Sequence, residues 1–73
     1  MLAEAVRARR RELGLRQDEV ADLAGVSTRF VHSLEAGKPS VQLDRVTAVL
    51  DVLGLELTIS RPRGGDGGPG GRP

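Results

Sequence analysis

The sequence predicts a mainly α fold: one small domain of four to five short helices, closed by a single β-strand. Three observations lead there. Apolar residues recur at helical spacing in four stretches, each stretch stops at a glycine, and the segment after the last of those glycines switches to strict alternation. With 73 residues the chain has room for one core only. A domain of this size buries about 60% of the surface that its unfolded chain exposes, so its margin of stability is a few kcal/mol.

Leu2, Val6 and Leu13, with Ala5 beside them, follow a helical period, and Gly14 supplies the stop of the first helix. Gln17 to Ala24 repeats the pattern with Val20, Ala21 and Ala24 inward. Asp18 and Glu19 fall in its first turn, where the macrodipole favours anions, and Gly25 ends it. Ser27 is a good N-cap for a third helix running to about Ala36, closed by Gly37, and Pro39 blocks continuation. Ser40 can cap a fourth helix within Val41 to Leu53, which presents Leu43, Val46, Val49, Leu50 and Leu53 on one face before Gly54.

In LELTIS, residues 55–60, Leu55, Leu57 and Ile59 alternate with Glu56, Thr58 and Ser60, the pattern of a strand with one buried face. A lone strand has no ladder, and nothing else in the chain alternates in this way. The expected partner is a second copy across a two-fold axis, with Leu55, Leu57 and Ile59 at the interface of a homodimer. The alternative is an irregular segment lying on its own core. The domain then spans residues 1–60. Residues 61–73, RPRGGDGGPGGRP, are too rich in glycine and proline to offset their ordering entropy and read as a disordered tail.

Composition excludes several classes of function. There is no cysteine for disulfides or a thiolate zinc site. One histidine and scattered carboxylates supply neither a nucleophile-base pair nor a metal cluster, so no enzyme activity, cofactor or metal is expected. Charges interrupt the N-terminal segment, and no stretch is long and apolar enough for a signal peptide or a membrane span; a cytoplasmic protein is expected. The formal net charge is +1, but the tail carries three arginines and one aspartate, which leaves 8 basic and 9 acidic residues in the first sixty. Bulk charge therefore argues for no polyanionic partner, and any such case rests on where the charges sit.

The second and third helices carry the informative pattern. Ala21 lets two helix backbones approach, Gly25 can take the positive φ of a tight turn, and Val26, Val31 and Leu34 pin the later helix to the earlier one. A generic helical hairpin explains those positions equally well. It gives no reason for the chemistry of the opposite side, where Thr28, Arg29 and His32 project together. The run GLRQDEVADLAGVSTRFVHSLEAGK resembles the helix-turn-helix of Xre/Cro-type DNA-binding regulators, in a lambda-repressor-like domain. The longer match, VRARRRELGLRQ through KPSVQLDRVTAVLDVLGLELTI, is most similar to the HipB-like antitoxin branch and covers roughly residues 4–60.

That resemblance implies a dimeric, nucleoid-associated repressor of double-stranded operator DNA, and in its branch an antitoxin that also binds a HipA-like kinase toxin. A stand-alone Xre-type regulator, or an adaptor using the helix-turn-helix as scaffold, are the alternatives. Ser27, Thr28, Arg29, His32 and Ser33 then occupy the positions that face the major groove. Arg29 can make two hydrogen bonds to guanine, and Thr28 can meet a base edge or a thymine methyl. Gln17 matches the family's phosphate-holding glutamine at the start of helix 2, with Arg16 before it and Lys38 after the recognition helix adding charge. Arg10 and Glu35 match the family's ion pair between helices 1 and 3. Arg7, Arg9 and Arg11 read as a solvated face, and Phe30 as a packing residue at the core's edge.

Overall fold

The computed structural model describes residues 2–39 and 42–58, and among them four helices. They are α1 (Leu2–Glu12), α2 (Gln17–Ala24), α3 (Thr28–Glu35) and α4 (Leu43–Val52). Each helix is too short to hold itself in water, so its amphipathic face must be buried against another. Helix α2 is central, packing on both α3 and α4, while α1 lies against α3. The core between them consists of Val6, Val20, Ala21, Val31, Leu34, Val46, Val49, Leu50 and Leu53. Leu15, Ala24, Val26, Phe30, Val52 and Leu55 close its edges, so Phe30 takes the edge position that its sequence context predicts.

All four helices stop in the same way. Gly14, Gly25, Gly37 and Gly54 have φ between 68° and 81°, and each is followed by a residue whose N–H reaches five positions back into the helix. The case that matters most for function is Gly25, φ 72°, between α2 and α3. The N–H of Val26 donates to the Ala21 carbonyl at 3.0 Å, closing the Schellman turn that sends the chain directly into α3. Val26 itself packs on the core edge. Two residues after the glycine, Ser27, in extended conformation, accepts a hydrogen bond on its side-chain oxygen from the Phe30 N–H at 3.0 Å and starts α3.

Several expectations need correction. Leu13 is 43% exposed and Leu2 is 36% exposed, leaving Val6 as the buried residue of α1. The helix ends at Glu12, so Leu13 has left its period, and Leu15 in the turn packs on the core instead. Leu43 is 59% exposed because it is the first residue of α4, a turn before the buried stripe begins at Val46. Residues 55–58 form no strand in the single chain. Leu55 folds back on the core, as in the alternative of an irregular segment lying on its own core, while Leu57 stays exposed. Ser40, Val41, Ile59, Ser60 and residues 61–73 lie outside the described residues.

Arg9, expected on a solvated face, is half-buried. Its Nε donates to the Leu53 carbonyl at 2.9 Å, satisfying an end carbonyl of α4 and tying it to α1, and its other arm meets Glu12.

The turn makes a testable demand. A Cβ placed on Gly25 meets nothing within 4 Å, so the cost of Gly25→Ala comes from the backbone conformation alone. Gly25→Ala is expected to lower the unfolding free energy by about 1–2 kcal/mol, with a smaller loss for Gly25→Asn, which tolerates the left-handed region better. Urea denaturation followed by circular dichroism measures both; equal losses for the two variants would mean that side-chain crowding, not φ, sets the cost.

Candidate nucleic-acid interface

The outward side of α3 is built by the constraint on its inward side. Val31 and Leu34 are buried, with Glu35 beside them at the helix end, so an eight-residue helix has little choice about which residues remain outside. Thr28, Arg29 and His32 are all exposed. Thr28 and His32 are one turn apart, and Arg29 flanks them, so three hydrogen-bonding groups of different character share one rim of a narrow rod. Ser33 is half-buried. Ser27 uses its acceptor on the cap and keeps its hydroxyl proton to donate.

Beside that rim lies a groove of about 280 Å³ between α3 and the start of α4. Ser27, Arg29, Ser33 and Lys38 line it with Phe30 and Pro39, and α4 and its preceding residue contribute Arg45 and Gln42. Arg29, Lys38 and Arg45 have no acidic partner among the described residues, whereas Arg9, Arg10 and Arg16 each have one. Sequence reasoning missed Arg45. Its signal is an arginine in the first turn of α4, off the apolar stripe, in a helix that begins just after Lys38 and Pro39.

Gln17 and Arg16 stand at the opposite end of the motif. Arg16 is exposed and leans on its own helix, with Nε 3.1 Å from Asp18 and a second nitrogen 3.8 Å from Glu19. The hydrogen bond from Arg16 lowers the pKa of Asp18 below the usual carboxylate range. Glu19 also accepts from the Arg16 backbone N–H at 2.8 Å, which fixes the start of α2. Gln17 is half-buried, and its side-chain nitrogen donates to Glu35 at 3.2 Å.

Arg10 and Glu35 form the pair expected of them. Arg10 donates Nε to one Glu35 oxygen at 2.6 Å and a terminal nitrogen to the other at 3.0 Å, a two-armed geometry with high directional demand. Its remaining arm donates to the Leu15 carbonyl at 2.8 Å. The Glu35 side chain is 4% exposed and that of Arg10 13%. Burial pushes the Glu35 carboxyl up, but the hydrogen bonds from Arg10 and Gln17, with the nearby arginine charge, outweigh it and hold the pKa below the ordinary glutamate value.

A family profile described as a helix-turn-helix domain matches residues 1–58. The chain belongs to the helix-turn-helix family. It is also similar to an uncharacterized HTH-type transcriptional regulator, y4mF, of Sinorhizobium fredii: 51% identical over 57 residues, which cover 78% of this chain and 75% of that protein. Together the two matches support an Xre-like helix-turn-helix regulator. No helix among the described residues is long and apolar enough to cross a membrane.

A charged group whose folded pKa is depressed stabilises the fold above its unfolded pKa, and that stability is lost as pH falls through the folded value. Glu35 therefore predicts an acid limb: unfolding free energy declines once pH drops below about 4.3, the ordinary glutamate value. The decline is complete below the depressed folded value. Urea midpoints measured against pH should show this limb, flattened in Glu35→Gln. Removing Arg10 altogether leaves a buried carboxylate uncompensated; Arg10→Ala is expected to cost about 3–5 kcal/mol, enough to leave a domain of this size largely unfolded by circular dichroism.

Proposed function

We propose that this helix-turn-helix protein is a sequence-specific repressor that binds double-stranded operator DNA as a homodimer. In this reading it is the antitoxin of a HipBA-type module, with a HipA-like kinase toxin as its second partner. The observation that carries the DNA reading is the shared exposure of Thr28, Arg29 and His32 on a short helix whose other side is buried. Such a rod can enter a major groove with its N-terminal turn leading, where Arg29 reads guanine and Thr28 and His32 read neighbouring edges. Ser27 and Ser33 face the groove beside them, and Lys38, Gln17 and Arg16 hold the flanking phosphates.

Dimerisation rests on the alternating segment. Leu57 is 44% exposed in the single chain, and pairing residues 55–60 across a two-fold axis would cover it together with Leu55 and Ile59. Two recognition helices then address half-sites about 34 Å apart. The antitoxin part is supported by the likeness of Lys38-Pro39-Ser40 and the closing segment to that branch.

Binding to the DNA upstream of the protein's own gene, titrated at several salt concentrations, is the test. Arg29→Ala should lose about 1–3 kcal/mol of preference among sequences while keeping salt-dependent, non-specific affinity. Lys38→Ala should weaken all sequences alike and shallow the salt slope by about one. If wild-type protein recognises no duplex at any salt, an interaction adaptor is the better account.

The partner claims have separate outcomes. A chain truncated after Gly54 is expected to sediment as a monomer and to lose most operator affinity, because one recognition helix then binds alone. A stoichiometric complex with a co-expressed HipA-like kinase encoded beside it supports the antitoxin role; a dimeric, operator-binding protein that ignores the kinase is a stand-alone regulator.

A further inference from the structure

The hydrogen bond between Gln17 and Glu35 changes what Gln17 can do. An ionised carboxylate only accepts, so the nitrogen end of the Gln17 amide must face Glu35, and the amide cannot turn over without losing that bond. The nitrogen carries two hydrogens. Glu35 takes one, and the Gln17 side chain makes no other hydrogen bond within the described chain, so one N–H stays available at the start of α2. Glu35 is itself immobilised from the other side by both arms of Arg10. A group in the third helix thus decides which end of a second-helix side chain is presented.

We propose that Glu35 is a positioning residue for DNA binding: its carboxylate locks the Gln17 amide so that the free N–H is presented to a phosphodiester oxygen of the backbone. This rests on the DNA-binding reading above. An unlocked glutamine presents its carbonyl oxygen about as often as its nitrogen, and an oxygen repels a phosphate. Locking removes the wrong orientation before the DNA arrives, which is preorganisation rather than an added contact. The ion pair accordingly has two roles: it stabilises the fold, and through Glu35, held in place by Arg10, it sets the orientation of Gln17.

A phosphate contact is independent of sequence, so the probe is a mixed-sequence duplex at low salt, with folding of every variant checked by circular dichroism. Glu35→Asp keeps the charge beside Arg10 but withdraws the carboxylate by one methylene, out of reach of Gln17. Glu35→Asp and Gln17→Ala are each expected to weaken binding about 3- to 10-fold, the equivalent of one hydrogen bond. The double variant should be no weaker than Gln17→Ala alone. Arg10→Lys, which releases one of the two holds on Glu35, should lower stability and weaken binding by folded molecules no more than Gln17→Ala does.

Gln17 and Gln42 are the only side-chain amides in the sequence, so NMR resolves the contact directly. Glu35→Asp should move the Gln17 amide protons and leave those of Gln42 in place. The proposal is overturned if Glu35→Asp weakens binding as much when added to Gln17→Ala as it does in the wild type, or if the Gln17 protons do not respond. A wild-type protein that binds no duplex while the Gln17 protons still respond removes the DNA-binding reading, and the phosphate role with it, but leaves the contact standing.

Discussion

The architecture depends on where Arg10 puts its three arms. Two close on Glu35 at the end of α3 and the third reaches the Leu15 carbonyl in the turn before α2, so one side chain of α1 fixes both the far helix and the approach to the middle one. Glu35 passes the constraint on to Gln17, the first residue of α2. The apolar core cannot do this by itself. Most of its members are valines and leucines, whose packing favours certain crossing angles with about 15–20° of scatter, whereas a two-armed guanidinium–carboxylate pair tolerates little rotation. Burying two charges is not in itself a net source of stability. What the pair contributes is a single relative placement of three short helices, and a recognition helix is useful only if that placement is fixed.

Charge is distributed unevenly enough to matter even though its sum is near zero. The first sixty residues hold 8 basic and 9 acidic groups, yet the groove beside α3 collects Arg29, Lys38 and Arg45 with no acid among its lining residues. The acids are elsewhere. Asp18 and Glu19 serve the start of α2 and hold Arg16, and Glu35 is taken up by Arg10. A surface patch of one sign next to a rim of hydrogen-bonding side chains is what a groove-and-backbone partner requires.

Much of this was legible in the sequence because its signals were local. The four terminal glycines, the Ser27 cap and the Val31 and Leu34 stripe each need only the neighbouring few residues to be read, and each appears where expected. The misplaced residues failed for one reason. Leu13 and Leu43 continue a helical period on paper, but one lies past the end of α1 and the other opens α4 before the core begins, and periodicity carries no information about where a helix stops touching its neighbours. Arg9 and Arg45 escape a sequence reading because their roles are non-local: Arg9 meets a carbonyl 44 positions away, and Arg45 matters through a groove shared with α3. The pairing of Arg10 with Glu35 was legible only through family resemblance. Nothing in the spacing of two charges 25 residues apart says that they meet.

A scaffold that happened to keep this hairpin would place few demands on the outer side of α3. The inner side already accounts for Val31, Leu34 and the turn at Gly25, and any soluble residues would serve outside. Instead the outer side carries a guanidinium, a hydroxyl and an imidazole within one turn and a half, flanked by uncompensated cations and by an amide whose orientation is set from behind. Each of these groups can donate a hydrogen bond, and none is an obligate acceptor. A partner that supplies acceptors in excess, along a regular negatively charged rail with readable edges between, uses all of them at once. Duplex DNA has that chemistry, whereas a protein surface matching it would need a dense array of carboxylates and carbonyls at the same spacing.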